Sequence, residues 1–146
     1  MNSNVKSPCL VVVDVLEHLN FNPIPLLREL AGVLKPGGLF YCATPNLSKI
    51  HSRLRLLRGK GIMNPVSDLV LNLKPETGMS VGLHWREWTK DEMILLFKEA
   101  GFSVKSHKFG MVVNNVSAFP RKQLINYMYA MFPSLMSHQV GVFVRA

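Results

Sequence analysis

Two stretches decide the fold: Cys9-Leu-Val-Val-Val-Asp-Val-Leu-Glu-His-Leu19 and Leu34-Lys-Pro-Gly-Gly-Leu-Phe-Tyr-Cys-Ala-Thr-Pro-Asn46. Leu10 to Val15 is a continuous apolar, β-branched run, the pattern of a strand buried on both faces of a parallel sheet. Leu39 to Ala43 reads as a second strand. Between them Asn22 suits an N-cap and Pro23 the first helical position. Leu26, Leu27, Leu30, Ala31 and Leu34 follow at helical spacing. Lys35 suits the negative end of the helix dipole, and Pro36-Gly37-Gly38 stops the helix and turns the chain. Strand, helix and strand with short links make a βαβ unit whose strands run parallel.

Downstream the pattern loosens and then tightens. Ser48 to Gly59 reads as a helix with Ile50, Leu54 and Leu57 on one apolar seam and Arg53, Arg55 and Arg58 largely off it. Met63 to Leu83, with scattered Pro, Asn, Gly and Ser, reads as a long excursion with a short helix near Ser67 to Leu73. Loops this long are usually functional lids or disordered. Residues 47–88 are therefore expected to form a lid-like insert within a single domain covering 1–146. Thr89-Lys-Asp-Glu92 is a capping box opening a helix with Met93, Leu96, Phe97 and Ala100 on one face, and Gly101 ends it. Phe102 to Phe109 reads as a strand, Lys122 to Met131 as a helix, and Gln139 to Arg145 as a last strand.

Hydrophobic residues make up 48% and charged ones 18% of the 146, a globular rather than a disordered composition. No uncharged apolar run approaches the roughly 18 residues of a membrane helix, and the first residues lack a signal peptide's apolar segment. A cytoplasmic protein without a transmembrane segment is the expectation. Cys9 and Cys42 lie in strand-like runs and read as reduced, buried small hydrophobes. The net charge of +8 is uneven. No acid occurs between Ala31 and Ser67, where Lys35, Lys49, Arg53, Arg55, Arg58 and Lys60 all lie, and none follows Glu99. Such a surface favours anionic partners: nucleic acid, phosphorylated substrates or acidic lipid headgroups.

Three blocks in order carry a family resemblance. They are Val13-Asp-Val-Leu-Glu-His-Leu19, Leu30 to Asn46 around Lys35-Pro-Gly-Gly38, and His84-Trp-Arg-Glu-Trp-Thr-Lys-Asp-Glu92 through Glu99-Ala-Gly-Phe102. Together they resemble the second half of a class I S-adenosylmethionine (SAM)-dependent methyltransferase, in the group that includes ubiquinone-biosynthesis O-methyltransferases and sugar, lipid and small-RNA methyltransferases. The resemblance runs from Leu10 to Arg145. It implies an α/β fold: a partial Rossmann-like methyltransferase fold of about four strands with helices on both faces, lacking the N-terminal half that carries the SAM loop. It also implies a first strand beside the second and an antiparallel C-terminal pair at the far edge. Family members open with a strand, a Gly-x-Gly-x-Gly loop and an acidic residue for the SAM ribose. None of the ten glycines here belongs to such a loop, and Pro8 stands where the family usually has Asp.

Ligands of open α/β sheets sit at the carboxyl ends of strands, which singles out Asp14, Glu17, His18, Pro45 and Asn46. The resemblance places Val13 and Asp14 beside the SAM cofactor and makes His18 a general base for a hydroxyl or amine acceptor. The plainer reading is that Glu17 and His18 hold the turn, and that Asn46 merely ends its strand. In some ubiquinone-pathway and small-RNA methyltransferases, residues with a similar spacing bind metal. Asp14, Glu17, His18 and His84 would be that set, suited to a divalent ion polarising a hydroxyl; no metal is assigned to the chain. Trp88 reads as a core residue. The implied function is SAM-dependent methyl transfer, by a complete protein, to a small-molecule or anionic acceptor. One alternative is a non-catalytic subunit or remnant that pairs with another chain; another is a basic binding module for nucleic acid or anionic lipid. Strand 10–15, bare on its outer edge, is expected to self-associate or take a partner chain.

Overall fold

The computed structural model describes residues 6–74, 79–80, 82–110 and 119–146. Strand β1 (Ser7–Val13) passes through a 3-10 turn (Leu16–His18) into helix α1 (Pro23–Val33), and β2 (Leu34–Pro45) returns parallel to β1. Helix α1 starts as its residues dictate: the Asn22 side chain accepts from the Ile24 N–H at 3.0 Å, with proline in the first turn.

Two boundaries differ from the sequence expectation. Strand β1 begins at Ser7 and stops at Val13, short of Val15, because Asp14 takes φ of 51°, a left-handed conformation outside the strand region. Leu34 to Gly38, expected as helix end and turn, belong to β2 across an irregularity: Ser7 pairs with Leu34 but Cys9 with Leu39. The extra residues bulge out there, and Gly37 supplies φ of 72°.

The main sheet has the order β1-β2-β6-β5, with β6 (His138–Arg145) antiparallel to both β2 and β5 (Phe102–Gly110). This is the topology that the resemblance implied. Helix α4 (Lys90–Glu99) opens on the expected capping box: the Thr89 hydroxyl accepts from the Glu92 N–H, and the Glu92 carboxylate accepts from the Thr89 N–H at 2.8 Å. Burial pushes the Glu92 carboxyl up, but the Thr89 hydrogen bonds and the Arg86 guanidinium outweigh it and hold it below the ordinary value.

The core lies on one face of the sheet. Phe40 and Cys42 of β2 and Phe143 of β6 meet Leu27 of α1 and Met93, Leu96 and Phe97 of α4. Phe97 stacks flat on Phe143 with centroids 3.8 Å apart, and Phe40 and Phe102 close on it edge-first. Gly141 makes room for this stack: a Cβ there would lie 2.4 Å from the Phe143 ring.

β1 is not buried on both faces, as its apolar run had suggested. Leu10 and Val12 pack on the core, but Val11 and Val13 remain 62% and 49% exposed, because alternate side chains of β1 point to the face away from the core. For the same reason Cys9 is exposed, against expectation, while Cys42 is buried; both are free thiols. Burial, helped by the negative charges of Glu17 and Asp14, pushes the Cys42 thiol up to about 12.

Between β2 and α4 the chain forms α2 (Ile50–Leu57), α3 (Val66–Leu71) and a two-residue ladder of β3 (Leu73–Lys74) with β4 (Met79–Ser80). The expected apolar seam of α2 finds no core: Leu54 and Leu57 are exposed, and Ser52 is the residue that α2 buries. Helix α5 (Phe119–Met131) and a second 3-10 turn (Pro133–Leu135) lead into β6. Among the described residues, no helix is long and apolar enough to cross a membrane.

Candidate functional site

The site grows out of the end of β1. The Asp14 N–H donates to the Ala43 carbonyl at 3.0 Å, a last tie to β2, and its left-handed φ then turns the chain into the 3-10 turn. Leu16 anchors that turn in the core and carries Glu17 inward to full burial. Glu17 is held twice. One carboxylate oxygen accepts from the Thr44 hydroxyl at 2.8 Å, and its backbone carbonyl accepts from the Trp85 N–H at 2.7 Å. The other oxygen, Oε1, is buried without a hydrogen-bond partner among the described residues. A carboxylate oxygen so placed is costly unless something satisfies it.

His18 Nδ1 lies 2.9 Å from the Leu83 carbonyl oxygen. A carbonyl can only accept, so Nδ1 carries the proton, and Nε2 of the neutral ring keeps its lone pair. The His84 ring meets His18 edge-on, centroids 4.8 Å apart. His84 Nδ1 lies 3.5 Å from Glu87 Oε1, and Glu87 is bridged in turn by Lys49 Nζ at 2.6 Å. Glu17, His18 and His84 each bring one ligand-type atom within 4.8 Å of the others.

The structure therefore gathers three of the four residues that the metal-type spacing named. Asp14 stands outside the cluster, exposed where the chain reverses, so the four-ligand set does not form. Val13 is at the open edge beside it. Asn46 is fully committed to structure. Its amide donates to the Ser134 and Met136 carbonyls, both at 2.8 Å, and its oxygen accepts from the Ser48 N–H and hydroxyl. Trp88 is buried as expected, with the Arg86 guanidinium 4.3 Å over its ring. Sequence reasoning missed Thr44, whose one signal is its place on the inward face of β2. It also missed the Leu83 carbonyl, which leaves no side-chain signal at all.

At the same end of the sheet an open cavity of about 690 Å³ lies between β5 and the α5 end, lined by His107, Phe109, Tyr129, Phe132 and Met136 among others. His107 Nε2 lies 3.0 Å from the Gln139 side-chain oxygen. Burial outweighs that bond and, with the Lys90 charge nearby, holds the His107 pKa below its ordinary value.

Solved structures match this fold. The chain aligns over 94% of its length with a SAM-dependent methyltransferase from Methanosarcina mazei, at TM-score 0.55 and 14% identity. A second, from Thermotoga maritima, aligns over 99% at TM-score 0.55 and 13% identity. The chain has part of the SAM-dependent methyltransferase fold. A methyltransferase of Haloferax volcanii, solved with its Trm112 activator, aligns over 95% at TM-score 0.54 and 16% identity. The chain spans 58%, 60% and 54% of these three proteins' own lengths. At such identities the likeness shows the fold, and the chemistry has to be argued from the site. No family model and no curated protein matches the sequence.

Proposed function

We propose that this chain carries the acceptor-side half of a SAM-dependent methyltransferase site, with His18 as general base. The observation that carries the reading is the His18–Leu83 hydrogen bond, which fixes the tautomer with a free lone pair on Nε2 at the carboxyl end of β1. SAM supplies an electrophilic methyl group on a sulfonium sulfur. His18 would take the proton from an acceptor O–H or N–H as that atom displaces the sulfur from the methyl carbon, with S-adenosylhomocysteine as the leaving group. Val13 and Asp14 would border the cofactor. They fit only one side of it, because no Gly-x-Gly-x-Gly loop follows a strand within these 146 residues. The complementary strand and loop would join along the open edge of β1, from further polypeptide or a partner chain.

Isothermal titration of the 146-residue chain with SAM tests this. Saturation is expected at millimolar concentration or not at all, and a micromolar dissociation constant would overturn the incomplete-site reading. In a protein completed with the missing half, His18→Ala should cut turnover about a hundredfold or more. An unchanged turnover with a lowered melting temperature would reduce His18 to a structural residue.

The unpartnered Glu17 Oε1 favours a second reading of the same cluster. Glu17, His18 and His84 would hold a divalent cation, whose chemistry would be to polarise an acceptor hydroxyl. Thermal stabilisation by a divalent ion that is lost in Glu17→Gln would support it. Chelator-insensitive activity of the completed protein would remove it.

A further inference from the structure

We propose that the segment from α2 through α3 is a docking surface for an anionic lipid bilayer. The fold leaves this segment without a core to enter: α2 buries Ser52 alone and α3 buries nothing. Large apolar side chains stand in water instead. Leu57 is 82% exposed, Leu71 81%, Val66 74% and Val70 68%, with Leu56 and Met63 over half exposed. A soluble surface carries scattered apolar residues of this kind singly, whereas a concentration of them within one short stretch marks a contact surface.

The charges of the same stretch choose the partner. From residue 48 to 73 the cations are Lys49, Arg53, Arg55, Arg58 and Lys60, against Asp68 as the one acid. Lys49 is taken by Glu87, and Arg53 and Arg55 each spend their Nε on a backbone carbonyl, of Ser48 and Gly61. Arg58 and Lys60 are exposed directly beside the leucines. A nucleic acid would use the cations but offers nothing to Leu57, Val66 or Leu71, since it engages apolar surface through stacking aromatics. An anionic bilayer takes both kinds at once, cations at the headgroups and aliphatic side chains at the acyl boundary. The Asn64 side chain donates to the His84 carbonyl at 3.0 Å, so docking would hold the His84 cluster close to the lipid surface.

Flotation of the 146-residue chain with vesicles of equal phosphatidylglycerol and phosphatidylcholine, against phosphatidylcholine alone, tests the proposal without reference to methyl transfer. The chain should float with the anionic vesicles, less so as salt is raised, and not with the neutral ones. Arg58→Glu/Lys60→Glu should weaken partitioning about thirtyfold or more. Leu57→Asp/Leu71→Asp should abolish it at an unchanged melting temperature, since both side chains already stand in water. Hydrogen exchange should slow across residues 50–71 on the vesicles. Equal partitioning of neutral vesicles or of the charge-reversed variant would overturn the proposal. So would the same exchange protection appearing without lipid as protein concentration rises, which would make a second copy the occupant. Tight binding of an RNA duplex with anionic vesicles ignored would also overturn it.

Discussion

Helices α4 and α2 are made of similar material and meet opposite fates. Both put large apolar residues at helical spacing among charged ones, yet α4 buries Met93, Leu96 and Phe97 while α2 leaves Leu54, Leu56 and Leu57 exposed. Two structural differences account for this. Helix α4 starts on a reciprocal cap and lies over the Phe40–Phe143 face of the sheet. Helix α2 has no side-chain cap and lies in the stretch that leaves the sheet past the carboxyl end of β2. Amphipathic spacing thus says that a helix has an apolar side, and the surrounding topology says whether anything is there to receive it.

The contrast is sharpest at the aromatic stack. Phe97→Ala should lower the unfolding free energy by about 3–5 kcal/mol, measured by urea titration, because it opens a cavity facing Phe143. A loss below about 1 kcal/mol would mean that the α4 face is as dispensable as that of α2. The buried side also has a pH signature. Cys42 is held protonated up to about 12 in the folded chain, against 9.0 for the free group. Above pH 9 the unfolded chain releases this proton and the folded one keeps it. Stability should therefore fall as pH rises from 9 to 12, by up to about 1.4 kcal/mol per unit. Cys42→Ala should remove that part of the slope, and an identical slope in the variant would show that Cys42 is not shielded. Next in size is the cap: Thr89→Ala should cost about 1 kcal/mol. Smallest is Leu57→Ala, expected within about 0.5 kcal/mol of wild type. A larger loss there would break the comparison by revealing a contact that α2 makes in solution.

What could be read from the sequence follows the same division. Local signals were sufficient where a few adjacent residues satisfy one another: Asn22-Pro23 at α1 and Thr89 to Glu92 at α4. The order of the strands came with the three resemblance blocks. The failures lie where position in the sheet overrides composition. β1 has the sequence of a strand buried on both faces and is covered on one, which misplaced Cys9 and left Val11 in water. At the site, His18, Glu17 and His84 were legible as residue types at a suggestive spacing. The rejection of Asp14 was not, because it depends on one backbone angle. The fixed His18 tautomer depends on a carbonyl 65 residues away, and carbonyls are the same in every sequence.

The stem of the insert has a consequence for how this chain could change. The Leu47 N–H donates to the Trp88 carbonyl at 3.0 Å, Asn46 bridges to Trp88, and the Asn46 amide ties the same corner to Ser134 and Met136. Residues 47 and 88 are therefore neighbours, and the described chain between them is tied back at this corner and again at Leu83 and Trp85, which meet His18 and the Glu17 carbonyl. Closing a loop grows dearer only logarithmically with length, by about 0.6 kcal/mol per doubling. Changes of length before Leu83 are thereby expected to cost the sheet little. The corner works as a socket: with Leu83 to Trp88 kept to hold Glu17 and His18, a preceding segment of different size or surface could be exchanged while β2, β6 and α4 keep their register.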